Sequence, residues 1–131
     1  MPVSTIQSEC FETTARFLTR QGFDHYEISS FAATPAHRSR HNQSYWDGSP
    51  YLGLGASAHS FDGRGHRCWN HADVRQYIRD IQSGKMSVSG QENLTSHQRA
   101  AEAVMLGLRC SSGIDLAQFE TRFGIPLIPD G

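Results

Sequence analysis

Between residues 4 and 21 the apolar positions Phe11, Ala15 and Leu18 recur three or four apart, which predicts an amphipathic helix. Ser4 and Gln7 are spaced as a capping box at its start, and Gly22 is a stop. In "DHYEISSFA", Asp24 to Ala32, the period changes to two, with Tyr26, Ile28 and Ser30 on one side and Glu27, Ser29 and Phe31 on the other. That pattern predicts one strand. Helix, glycine, strand is half of a β/α repeat, so parallel partners are expected upstream, where few residues remain. Residues 33–50 are polar and broken by Pro35, Gly48 and Pro50, which reads as a long loop. "YLGLGASAHSF", Tyr51 to Phe61, reads as extended, with Gly53 and Gly55 on one face and Leu54, Ala56 and Ala58 on the other. Two glycines on one face predict the close approach of a ligand or of another backbone.

Beyond Gly63-Arg64-Gly65 the pattern becomes helical. Val74, Tyr77, Ile78 and Ile81 form an apolar stripe ended by Gly84. Thr95 and Gln98 form a capping box before Ala101, Val104, Met105 and Leu108. Asp115 and Gln118 repeat the device, with Ile114 and Phe119 placed as a hydrophobic staple and Gly124 and Pro126 closing the helix. The chain stops at "IPDG", in what reads as the middle of a turn.

Composition narrows the class. The 131 residues are 37% hydrophobic and 19% charged, which suffices for a core and lies outside the disordered regime. A net charge of -1 gives no broad attraction for nucleic acid, so anion recognition has to be local. Cys10, Cys68 and Cys110 are odd in number and far apart, which favours a reducing cytoplasm over a disulfide framework. No apolar run approaches the ~20 residues of a membrane span, so no integral membrane segment is expected.

Four stretches carry candidate chemistry. "GLGASA" fits G-x-G-x-x-A, but a dinucleotide site needs a helix opening on the glycines and a later acid, and neither is evident. "HRCWNH" offers His66, Cys68 and His71 but lacks the second ligand pair of a closed zinc site. The helices around Thr95–Arg109 and Leu116–Phe123 have helix-turn-helix spacing but little positive charge for phosphates. "RHNQSYW", Arg40 to Trp46, holds a cation, an imidazole, two amides, a hydroxyl, a phenol and an indole with no aliphatic residue. It reads either as a loop whose aromatics pack on the domain or as a site for a flat, anionic, metal-bearing ligand. Haem has those properties: imidazole can ligate its iron, guanidinium its propionates, and aromatic faces its ring.

The order "YEISSFA", "RHNQSYW", "YLGLGASAHSF", "LTSHQRAAEAVMLGLR" resembles the later part of radical S-adenosylmethionine proteins related to oxygen-independent coproporphyrinogen III oxidase, and among them the HemW-type haem chaperones. The resemblance runs from Cys10 to Gly124. It implies an α/β fold: a terminal β/α part of a partial radical-SAM barrel over residues 1–62, then the start of a small, mainly helical accessory domain over residues 63–131. The H-N-x-x-Y-W pattern, matched by His41, Asn42, Tyr45 and Trp46 with Arg40 beside it, implies a haem site with His41 on the iron. Gly53, Gly55, Ala58 and His59 are implied to lie near S-adenosylmethionine. The implied partners are haem and haem-accepting proteins, of which a recipient can be membrane-bound; the oligomeric state is left open. The family's 4Fe–4S cluster is held by C-x-x-x-C-x-x-C, a spacing absent from these three cysteines. Together with the missing upstream strands, this predicts a piece of a longer protein that holds the cluster elsewhere and does no radical chemistry by itself. The alternative within the resemblance is a coproporphyrinogen oxidase or dehydrogenase.

Overall fold

The computed structural model of the protein describes residues 3–128, with side chains from residue 5 onward. The chain is mixed α/β. Helix α1, Val3–Arg20, forms where the apolar period placed it. It ends in a paired turn in which Gly22, at φ +86°, donates to Thr19 and Phe23 donates to Leu18. The cap expected at Ser4 and the turn at "IPDG" lie outside the described side chains and residues.

The single strand expected at Asp24–Ala32 is instead a hairpin, β1 (Asp24–Glu27) and β2 (Ser30–Ala32), paired antiparallel with a register shift between His25 and Glu27. Glu27 causes the reversal. Its carboxylate accepts from the Ser29 backbone at 3.2 Å and the Ser29 hydroxyl at 3.1 Å, which folds "EISS" into a turn. The other edge of β1 is also taken, though not by parallel strands from upstream. Ile28 N–H donates to the Arg109 carbonyl and Ser111 N–H to that of Tyr26, so a segment some 85 residues downstream pairs with it antiparallel.

The loop expected over residues 33–50 contains a 3₁₀ turn at Pro35–His37 and a helix, α2, at Arg40–Trp46. "RHNQSYW" is therefore helical. Ser39 caps it by accepting from Asn42 N–H, and Gly48, at φ +70°, lets Ser49 donate back to Ser44. Both signals were present in the sequence. The polar composition and the bracketing Pro35 and Pro50 masked them.

Tyr51–Phe61 is likewise not one strand. It folds back so that Tyr51 and Phe61 exchange backbone hydrogen bonds at 2.9 Å, and only β3, His59–Phe61, continues into a sheet. The expected close approach at Gly53 is the chain's own backbone: a Cβ there would run into the His59 carbonyl. Strands β4 (His66–Asn70) and β5 (Val88–Asn93) complete an antiparallel sheet in the order β3-β4-β5. Over residues 63–131 these two strands stand beside the helices expected there. Short polar strands such as "HRCWN" and "VSGQEN" bury only part of each face, so they leave little alternation to read. The division expected after residue 62 falls in the β3–β4 turn, where the Asp62 carboxylate accepts from the backbones of Arg64, Gly65 and His66.

Helix α3 (Val74–Gln82), capped by Asp73 and stopped at Gly84, α4 (Ser96–Gly107) and α5 (Leu116–Phe123) follow the expected pattern. The capping box at α4 is complete, with Thr95 Oγ1 accepting from Gln98 N–H and Gln98 Oε1 accepting from Thr95 N–H. Among the described residues the buried hydrophobic side chains are Tyr26, Ala32, Ala100 and Phe119. So small a core leaves much of the tertiary arrangement to polar contacts. Thr95→Ala should lower stability by about 1 kcal/mol in urea titration, and Thr95→Ser should leave it close to wild type.

Candidate functional site

Helix α2 has seven residues, less than two turns, and a helix that short does not hold itself together in water. Tertiary contacts position it. At the N-terminal end, Ser39 N–H donates to the Tyr26 hydroxyl at 3.1 Å. At the C-terminal end, Arg122 of α5 donates to the Asp47 carbonyl at 3.1 Å, placing a cation where the helix dipole is negative. The third contact lies on the side: the Arg109 guanidinium stacks 4.4 Å from the Trp46 ring centre.

Helical geometry then divides the seven residues. At about 100° per residue, Tyr45 stands about 40° from His41, whereas Trp46 stands about 140° away. The structure agrees. His41 and Tyr45 make an edge-to-face pair at 4.9 Å, and a ladder of rings continues to Tyr51 at 4.8 Å and Phe61 at 6.1 Å. Arg67 caps it 5.5 Å from Phe61, held by Glu102 of α4 at 2.8 Å and by Glu92 of β5 at 3.3 Å. Trp46 is half-buried and makes a tilted ring pair with Tyr45 at 6.5 Å, and its indole N–H is buried with no hydrogen-bond partner among the described residues. Of the residues expected to converge, Arg40 and His41 are exposed and Asn42, Tyr45 and Trp46 half-buried, with Trp46 turned away from His41 but in ring contact with Tyr45. Among the described residues the His41 imidazole has a ring contact but no hydrogen bond, and Arg40 has no ion pair.

The second group, Gly53, Gly55, Ala58 and His59, forms a tightly held loop. Gly53 N–H donates to Ser60 Oγ at 3.0 Å and Gly55 N–H to the Tyr77 hydroxyl at 3.1 Å. The Asn70 amide donates to the carbonyls of Gly55 and Gly53, at 2.9 and 3.4 Å. Ser57 sits at φ +60°, and His59 lies 5.7 Å from the Trp69 ring. The glycines are accounted for within the chain, Gly53 by the nearness of His59 and Gly55 by φ +110°. Leu52 and Leu54 point outward, 75% and 81% exposed.

Sequence reasoning passed over Glu27 and Arg109. Glu27 is 3% exposed, and its second oxygen lies 3.5 Å from Arg109. The nearest sequence signal was the "EISS" tetrapeptide, where a strand acid is followed by two hydroxyls. Burial pushes the Glu27 carboxyl up, but hydrogen bonds from Ser30 and Ser29 and the charge of Arg109 outweigh it, leaving its pKa below the usual value.

The arrangement belongs to a recognisable class of protein. Residues 94–129 match the HemN C-terminal domain family. Coproporphyrinogen III oxidase (HemN) from Escherichia coli, whose structure is described as that of a radical SAM enzyme, superposes with a TM-score of 0.64 over 87% of this chain and 29% of its own. The identity is 20%, a likeness of fold. At the level of sequence, the chain is 32% identical to "Heme chaperone HemW" of Lactococcus lactis over 94% of its length and 31% of the relative's. The same protein from Bacillus subtilis is 31% identical over 95% of this chain and 32% of its own length. That from Synechocystis is 39% identical over 77% and 24%. The chain is thus similar to HemN- and HemW-related proteins over most of its length, and spans about a third of the length of the curated relatives it matches. No helix among the described residues is long and apolar enough to cross a membrane.

Because the folded pKa of Glu27 is depressed, its contribution to stability is complete above the unfolded carboxyl's value, about 4.3, and is lost as pH falls through the lower folded value. The gap in urea midpoint between wild type and Glu27→Gln should therefore be full near neutral pH and shrink steadily below about pH 4. A gap that widens in acid would reverse the assignment.

Proposed function

We propose that the chain is the haem-binding part of a haem chaperone, with α2 presenting His41 as the iron ligand. The observation that supports this most is the unengaged His41 imidazole, exposed on a short helix and backed by the Tyr45–Tyr51–Phe61 ladder. A ligating imidazole needs a free ring nitrogen, and His41 has no hydrogen bond competing for it. Arg40, exposed and free of an ion pair among the described residues, suits a propionate. Asn42 and Tyr45 flank the imidazole with polar and flat surface, whereas Trp46 serves the site from behind, by packing. An exposed ligand on one side of the macrocycle suits a carrier that must release its cargo to a haem-accepting protein.

Kinship supports placing Gly53, Gly55, Ala58 and His59 beside the S-adenosylmethionine pocket of the longer relatives. Their backbone donors at Gly53 and Gly55 are already engaged by Ser60 and Tyr77, so these residues would bound such a pocket and not hydrogen-bond its occupant. The cysteines of this chain lack the spacing that holds a 4Fe–4S cluster, so the chemistry of that cluster, a one-electron reduction of S-adenosylmethionine, would be supplied from outside these 131 residues. The three free cysteines, Cys10, Cys68 and Cys110, fit a reducing cytoplasm.

Haem titration followed in the Soret region tests the reading. His41→Ala should weaken binding at least tenfold and shift the Soret band of whatever remains bound. Arg40→Ala should weaken it a few-fold with the band unchanged, because a propionate partner acts by charge and not through iron. Unchanged affinity and spectrum in His41→Ala would remove α2 as the axial site.

A further inference from the structure

We propose that Arg109 is a positioning residue for the haem-binding helix: it fixes the rotation of α2 by locking Trp46 to the buried Glu27, so that the helix presents His41 outward. The inference rests on reading α2 as the haem site.

The contacts at the two ends of α2 hold its termini but do not set its rotation. Ser39 reaches Tyr26 through a backbone N–H, and Arg122 reaches the Asp47 backbone carbonyl. Neither involves a side chain from the body of the helix. Two side chains of the helix supply that grip, Tyr45 against Tyr51 at 4.8 Å and Trp46 beneath the Arg109 guanidinium at 4.4 Å, and the second of these ties the rotation to the C-terminal part of the chain.

Arg109 is itself held on three sides. Its carbonyl accepts from Ile28 at 3.1 Å, its terminal nitrogen lies 3.5 Å from Glu27, and its guanidinium covers Trp46. Both the Arg109 Nε and the Trp46 Nε1 are buried with no hydrogen-bond partner found for either. The stack is partly open, the Arg109 side chain being 34% exposed and Trp46 half-buried, so its strength lies in the guanidinium over the ring and the ion pair behind it. The Glu27 carboxylate cannot swing away, because Ser29 holds its other oxygen. Arg109 also lies within the segment matched to the HemN C-terminal domain, and Trp46 lies far upstream of it. The clamp thus makes the C-terminal domain a determinant of how the haem helix is presented.

The experiment uses the whole chain in a Trp69→Phe background, where Trp46 is the remaining indole. Arg109→Ala should raise acrylamide quenching of Trp46 several-fold and weaken haem binding about tenfold, while the Soret band of the bound form stays at its wild-type position. Arg109→Lys keeps the charge and loses the planar stack, so it should resemble Arg109→Ala. If Arg109→Ala fails to fold, Arg109→Lys and Glu27→Gln carry the test, read by the same two signals against far-UV circular dichroism. Quenching and affinity unchanged in the folded variants would overturn the positioning role, and so would a loss of affinity without a change in quenching. Changed quenching with unchanged affinity would also overturn it, because Trp46 would then be mobile without consequence for the site. Loss of haem binding in His41→Ala keeps the haem reading alive in each of these cases. If His41→Ala binds haem as wild type does, that reading fails, and the quenching of Trp46 reports on the clamp alone.

Discussion

The carboxylate of Glu27, 3% exposed, is the constraint around which the N-terminal half of the chain is arranged. A buried carboxylate is tolerated only when its lone pairs are met, and here Ser29 meets one oxygen and Arg109 the other. Meeting them reverses the chain into the β1–β2 hairpin and draws the α4–α5 connection onto the free edge of β1. Replacing such a pair by apolar residues is often neutral or stabilising, so its value is as a fastener of register more than as a source of free energy. With few hydrophobic side chains buried, fasteners of this kind decide which face of which helix points outward. Arg67 plays the same part on the other side of α4, tying Glu102 to Glu92 and to the end of the ring ladder.

The consequence for the site is a division of labour within seven residues. Trp46 is the anchor to Arg109 and His41 the outward group, with Tyr45 between them in ring contact with both, at 6.5 and 4.9 Å. A haem seated on His41 would meet Tyr45 and the guanidinium of Arg40, with the indole supporting the helix from beneath. Carriers benefit from that arrangement, because a rigid helix can hold one axial ligand in place while the rest of the macrocycle stays accessible to a recipient.

Much of this was legible in the sequence, for identifiable reasons. The ends of α1, α3, α4 and α5 were readable because caps and glycine stops are local: Gly22, Gly84 and Gly124 all adopt positive φ, and Thr95 with Gln98 forms its box. The hairpin at "EISS" was misread as one strand, since period-two alternation continues across a tight reversal when the turn residues are Ile and Ser. Gly53 signalled a close approach, and the partner was the backbone of His59 a few residues on, whereas Gly55 meets no neighbour and answers to its φ of +110°. Helix α2 was hidden because its stability is not local, depending on Arg109 and Arg122 from some 65 to 75 residues away. No spacing within "RHNQSYW" announces those partners, although Ser39 and Gly48 marked its two ends.

The division of α2 into an inner and an outer face is most directly tested by paramagnetic relaxation from bound iron(III) protoporphyrin, read residue by residue in proton NMR. The account predicts the strongest broadening at the His41 ring, less at Tyr45, and least at the indole N–H of Trp46, which exchanges slowly with solvent. Broadening centred on Trp46, with His41 and Tyr45 unaffected, would contradict it.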